Sequence, residues 1–331
     1  MTSNAHSLYA YYAAYGILTG TATGMLWVSS VISVRRWYVG LSYSKMFGIA
    51  FTGAPISQVI MNLFVKQALA GSEGDAWRDA MQMLGGLTLI CLAVAALLAR
   101  KPPERYGMEP FGGMPGAGGT PQHVWSIREA FTTYPIWGVI LTFLTSVLGE
   151  FMIWTQAVSY WHTDLGMPLE SAAHLYIIIG IVGIFSMPIM GFVADKVVQR
   201  STSEASGRKK MLIFGPLTGV AACTLLLMQT PESSILGALS CVVFAMYWAV
   251  VPGGVVGYAG AVYGRATLGR IWGLATLIVM GIGPFAGSFI GGYLKDVSGS
   301  YTYSIVFALS AFVTSMLFAS SLPLTTKPEK P

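Results

Sequence analysis

Glu150 is the residue with the most chemistry to explain. It is the one charge inside an apolar stretch covering residues 130–161. Some sixteen residues from the expected helix start near Tyr134, it would rise about 24 Å along a helix. Burying an ionised carboxylate is expensive, so such a group either faces a cavity and titrates or is held protonated among packed neighbours. The first reading makes it a proton-coupling or cation-binding group, the second a packing residue. Gln156 follows on the same stretch. Gln58 and Asn62 are four apart and share a helix face, while Tyr247 and Trp248 are adjacent aromatics deep in another apolar run. Each suits the wall of a solute path, and each also suits a hydrogen-bonded contact inside a bundle. His6, His123, His162 and His174 share no ligand spacing, so no metal site and no cofactor is expected. No G-x-x-x-x-G-K-[ST] loop, H-E-x-x-H or G-x-S-x-G occurs, so neither ATP hydrolysis nor an intramembrane enzyme is indicated.

The medium around these residues follows from composition. The chain of 331 residues is 54% hydrophobic and 10% charged, with mean hydropathy +0.63. Soluble domains carry about a quarter charged residues. Charge-free runs at 11–34, 46–65, 80–99, 171–194, 211–231, 233–264, 271–294 and 297–326, with 130–161, are each long enough to cross a bilayer as a helix. The expectation is an all-α membrane protein of about nine transmembrane helices. Taking alternate loops as one side, 16 of the 19 Lys and Arg fall together, only Lys66, Arg78 and Lys295 lying opposite. The positive-inside rule then places the C-terminus in the cytoplasm and the N-terminus outside. The net charge of +5 reflects this topology, not a nucleic-acid partner. Cys91, Cys223 and Cys241 lie in apolar runs and read as small core residues. Tyr134 and Trp137 at one end of their run, with Tyr160 and Trp161 at the other, read as interface belts.

"KMFGIA" at 45–50 returns as "RIWGLA" at 270–275, an offset of 225 residues. The same offset lays the first and third runs onto later ones. This is the pattern of a parallel repeat within a transporter. It divides the chain into a partial N-terminal half at 1–99, a cytoplasmic linker at 100–133, a six-helix half at 134–322 and a tail at 323–331. "VWSIREAF" in the linker reads as a short interfacial helix. Subtracting the offset from residue 134 leads to the expectation of about 90 further residues, three helices, upstream of the first residue. The alternative expectation is a truncated paralogue or mis-started fragment that does not transport. Gly53 with Pro55, and Gly283 with Pro284, interrupt spans and read as bends or tight packing points.

Several short motifs resemble the major facilitator superfamily, and within it the oxalate/formate antiporter and monocarboxylate transporter groups. They are Arg36-Trp37-Tyr38, residues 45–50 with Gly53, Trp77-Arg78, and Pro103-Glu104 with Gly107-Met108-Glu109-Pro110. Further along come Gly191 to Asp195-Lys196 with Gly207-Arg208-Lys209-Lys210, and Asp296 with Gly299-Ser300-Tyr301. The resemblance implies a helical bundle working by alternating access as a secondary carrier of a small solute, with organic acids and protons as its candidate cargo and coupling ion. It also implies a latch built on Gly191, Asp195 and Arg208. A carboxylate at a helix N-terminus is favoured by the dipole, and the helix beginning at Gly269-Arg270 is the expected partner, with Arg270 pairing to Asp195. The Arg and Lys that the oxalate/formate type carries for its anion are missing from 171–194 and 271–294.

Overall fold

In a computed structural model, which describes residues 2–69, 76–112, 123–264 and 266–325, the chain is helical throughout. Leu8–Tyr11 (α1), a π-helical stretch Tyr12–Thr19 and Gly20–Trp37 (α2) run on as one rod. Then come Tyr43–Phe51 (α3), Gly53–Leu69 (α4), Ala76–Leu98 (α5) and the short Ile127–Thr132 (α6). Six long helices follow: Tyr134–Ser159 (α7), Leu169–Gln199 (α8), Glu204–Leu227 (α9), Ile235–Tyr263 (α10), Leu268–Ser298 (α11) and Thr302–Ser321 (α12). Among the described residues eight helices are long and apolar enough to cross a membrane. The ninth apolar run, 46–65, is broken at Thr52 into α3 and α4. Pro55 has no N–H to give the carbonyl of Phe51, and its ring crowds that turn. The short interfacial helix is present as α6, started by a reciprocal capping box between Ser126 and Glu129.

The shared core is drawn mainly from α7–α12, with Val31, Tyr43 and Phe47 entering it from earlier in the chain. Two sequence expectations are corrected here. Tyr160 and Trp161 are buried, not at an interface, because their polar atoms find partners inside: Tyr160 donates to the Leu226 carbonyl and Trp161 to Gln229. Cys91 is exposed on α5, while Cys223 and Cys241 are buried. Tyr134 and Trp137 are exposed.

The contact of α3 and α4 with α8 positions everything described below. It is close because glycines face backbone. A Cβ on Gly48 would land on the Met187 carbonyl, and one on Gly191 on the Ser44 carbonyl. Further along, Gly183 receives the ring of Pro55, and Gly180 receives Val59 and Gln58. Such small-residue crossings hold helices together where lipid offers no hydrophobic drive. Gly48→Ala or Gly191→Ala is expected to destabilise by about 1–3 kcal/mol through overpacking, lowering the melting temperature in detergent. Gly281→Ala, where an added Cβ meets nothing within 4 Å, should leave it unchanged; equal melting of all three would refute the close contact.

Candidate functional site

Asp195 lies near the C-terminal end of α8. Its Oδ1 accepts from the Ser44 amide at 2.9 Å and its Oδ2 from the Lys45 amide at 2.8 Å. Both are first-turn N–H groups of α3, which have no partner within their own helix, and the helix dipole adds to the attraction. The expected partner was the helix starting near Arg270. That residue is exposed at the start of α11 and takes no part. The carboxylate caps the first copy of the repeated hexapeptide, because it is α3 that Gly191 and Gly48 bring onto α8.

Arg208 on α9 completes this cluster. It donates to the Gly40 carbonyl at 2.8 Å and to the Ser44 hydroxyl, and it pairs with Asp195 at 3.4 Å and Glu204 at 3.2 Å. Arg35 on α2 pairs with the same Glu204 oxygen at 2.7 Å. The two guanidiniums lie over the Tyr43 ring, at 4.7 and 5.0 Å from its centroid, and Tyr43 donates its hydroxyl proton to the Gly253 carbonyl of α10. Arg35 and Arg208 are 2% and 1% exposed, so removing a carboxylate would strand a buried cation, a strongly destabilising change. One polar knot therefore ties α2, α3, α8, α9 and α10 together. Glu204 and Arg35 were not singled out in the sequence. The signal for Glu204 was there, an acid four residues before Arg208, inside "VVQRSTSEAS". That stretch lengthens α8 and α9 and leaves only residues 200–203 as a turn.

The second cluster surrounds Glu150 on α7. The carboxylate is buried, accepting from Trp154 Nε1 at 3.2 Å and from the Tyr247 hydroxyl at 3.1 Å. Among the described residues no Lys or Arg pairs with it. Trp154 is four residues on, one turn away, so the sequence spacing could have named it. Its ring meets Trp248 edge-on at 5.0 Å; Trp248 meets Phe51 of α3 at 6.1 Å, and Phe51 meets Trp27 of α2 at 5.3 Å. A line of aromatic rings thus runs from Glu150 across to α2.

The remaining sequence candidates separate. Gln156 is buried between α7 and α11, donating to the Ser288 carbonyl at 3.3 Å and filling the space over Gly291. Gln58 has both amide atoms buried without a partner, beside Gly180. Asn62, one turn further along α4, is exposed. Gly283 receives Val147 of α7, Pro284 lies within α11, and Gly53 faces open space. No group of three His, Cys, Asp or Glu able to hold a metal occurs among the described residues.

The two clusters lie in a bundle of long apolar helices, a carboxylate cap at one place and a buried acid at the other. The chain belongs to the Major Facilitator Superfamily, whose sequence profile matches residues 1–288. It is 27% identical to monocarboxylate transporter 13 of Bos taurus, over 99% of this chain and 70% of that protein. Identity to monocarboxylate transporter 4 of Mus musculus is also 27%, over 94% of this chain and 63% of that one. The fold resembles the fucose:proton symporter of E. coli, with TM-score 0.59 and 15% identity, covering 96% of this chain and 76% of that one. It also resembles a bacterial homologue of the iron transporter ferroportin in an outward-facing state, with TM-score 0.56 and 14% identity over 95% and 72%.

Asp195→Asn keeps the shape but loses one acceptor and the charge. Caps and charge-assisted bonds of this kind contribute about 1–2 kcal/mol, equivalent to about tenfold in an equilibrium. With Lys45→Cys as a probe in a Cys91→Ser background, Asp195→Asn is expected to raise the maleimide labelling rate about tenfold. Equal rates would show that the cap does not hold α3 against α8.

Proposed function

We propose that the protein is a proton-coupled secondary carrier of small organic acids in the cell membrane. In this reading the Asp195 end of α8 faces the cytoplasm, as the distribution of Lys and Arg supports. Residues 1–99 and 134–322 are the two moving bodies and 100–133 the link between them. The α3–α8 contact is then the closed cytoplasmic gate. Its opening requires Asp195 to leave the α3 amides, and Gly191, Asp195 and Arg208 form the latch.

The observation that carries the coupling role is the setting of Glu150. It is buried, held by two neutral donors and, among the described residues, paired with no cation. A proton gained or lost by a carboxylate in that setting changes which partners it can keep. Tyr247 and Trp154 are its positioning residues. Trp248 carries the aromatic wall on towards α3, and Gln58 lies where α4 meets α8. The relatives bearing monocarboxylate transporter names and the neighbour described as a proton symporter support the substrate class and the coupling ion.

In proteoliposomes with an imposed pH difference, Glu150→Gln should reduce accumulation of a monocarboxylate at least about tenfold, while exchange between two equal pools continues. Accumulation at the wild-type level by Glu150→Gln would remove the coupling role and leave Glu150 a packing residue.

A further inference from the structure

The turn between α2 and α3 is held from far along the chain. It is a single 3-10 turn, Gly40–Ser42, and the amides around it find their partners in the segment that follows α5. Val39 N–H donates to the Phe111 carbonyl and Leu41 N–H to the Gly112 carbonyl, both at 2.9 Å. Phe111 N–H donates back to the Trp37 carbonyl at 2.9 Å. Side chains follow the same parallel register. Arg36 pairs with Glu104 at 3.5 Å, the Trp37 ring lies 6.2 Å from Tyr106, and Tyr38 meets Phe111 edge-on at 6.5 Å. Residues 104–112 thus lie alongside 36–41.

The latch hangs on that same turn. Gly40 gives its carbonyl to Arg208 at 2.8 Å, and just beyond it Ser44 and Lys45 give their amides to Asp195. Gly112 is pressed against the turn. Its φ of +92° is open in practice to glycine alone, and a Cβ there would land on Ser42 and on the Val39 carbonyl. Ser42 is buried and immediately precedes α3. One short bridge would be weak by itself. Amides of a half-buried turn left without acceptors are costly, however, so the two segments hold each other.

The link between the halves is fastened near its other end too. Trp125, 4% exposed, meets Tyr263 at the end of α10 edge-on at 5.3 Å, and the Tyr263 hydroxyl bonds that of Thr133. We infer that residues 104–112 are a positioning element of the latch. Through Gly112 and the Phe111 and Gly112 carbonyls they hold the α2–α3 turn where Arg208 and Asp195 can engage it. The inference rests on reading the α3–α8 contact as the gate, and it makes the link between the halves part of the gate's closed form, where a passive tether would only join them.

The test is maleimide labelling of Lys45→Cys in the Cys91→Ser background, with protein in lipid nanodiscs. The buried Cys223 and Cys241 report general loosening in the same sample. Gly112→Ala is expected to raise labelling at position 45 about fivefold, with Cys223 and Cys241 unchanged. Glu104→Gln together with Tyr106→Ala, both exposed, should raise it about twofold. Phe111→Leu keeps the backbone bonds and should label like its parent. Added to Asp195→Asn, Gly112→Ala should have little further effect, since both act on one cap. Unchanged labelling at position 45 in Gly112→Ala and in the Glu104→Gln/Tyr106→Ala pair would overturn the inference. So would an equal rise at Cys223 and Cys241, or effects of Gly112→Ala and Asp195→Asn that multiply in full. Should Gly112→Ala not fold, the Glu104→Gln/Tyr106→Ala pair decides alone. The gate itself is read separately: unchanged transport by Asp195→Asn would defeat the gate reading while labelling still reports whether 104–112 hold the turn.

Discussion

The carboxylate of Asp195 gives both oxygens to the first amides of α3, and the rest of the structure is arranged around that pair of bonds. Arg208 braces the carboxylate from α9 while reaching the Gly40 carbonyl and the Ser44 hydroxyl. Glu204 pairs with both Arg208 and Arg35, so that with Asp195 two carboxylates balance two guanidiniums. Tyr43, with a guanidinium over its ring from each of two helices, cannot shift without disturbing both. A buried charge is tolerable only when each partner is present, so these bonds form and break as a set. That property suits a gate, which has to be shut or open and not half of each.

The two polar centres differ in kind. At the Asp195 end, opposite charges are paired and hydrogen bonds are short. At Glu150 the carboxylate accepts from two neutral donors, and among the described residues no cation pairs with it. A paired network holds a conformation. A sparsely satisfied one can be completed by something that arrives, a proton or a solute oxygen, and so can tie conformation to occupancy.

Much of this was legible before any coordinates. Charge-free runs gave seven of the eight spans directly, the run interrupted by Glu150 gave the eighth, and Glu150 was conspicuous as a lone acid. Asp195 was recognisable as a helix cap, but the 225-residue repeat presents two equivalent helix starts, at Lys45 and at Arg270. Spacing along the chain does not say which of two such ends is packed against α8; the facing glycines Gly48 and Gly191 decide it. Trp161 and Tyr160 looked like interface aromatics because their type and position match that role. Only the fold brings Gln229 and the Leu226 carbonyl within reach of them. The unpaired amide of Gln58 has no sequence signature at all, since a glutamine with a partner and one without read the same.

The break at Thr52 has a mechanical meaning. Nine residues of α3 rise about 14 Å and seventeen of α4 about 26 Å, so neither piece alone matches the roughly 30 Å thickness of a hydrocarbon core. The pair crosses only as a jointed rod. α3 is clamped to α8 by Asp195 and the glycine contact, and α4 packs on α8 through Gly183 and Gly180, so a thicker or thinner bilayer would load the turn at Thr52, where an unbroken helix would tilt as a whole. Lipid thickness would then bear on the α4–α8 contact through that turn before it reached the Asp195 clamp.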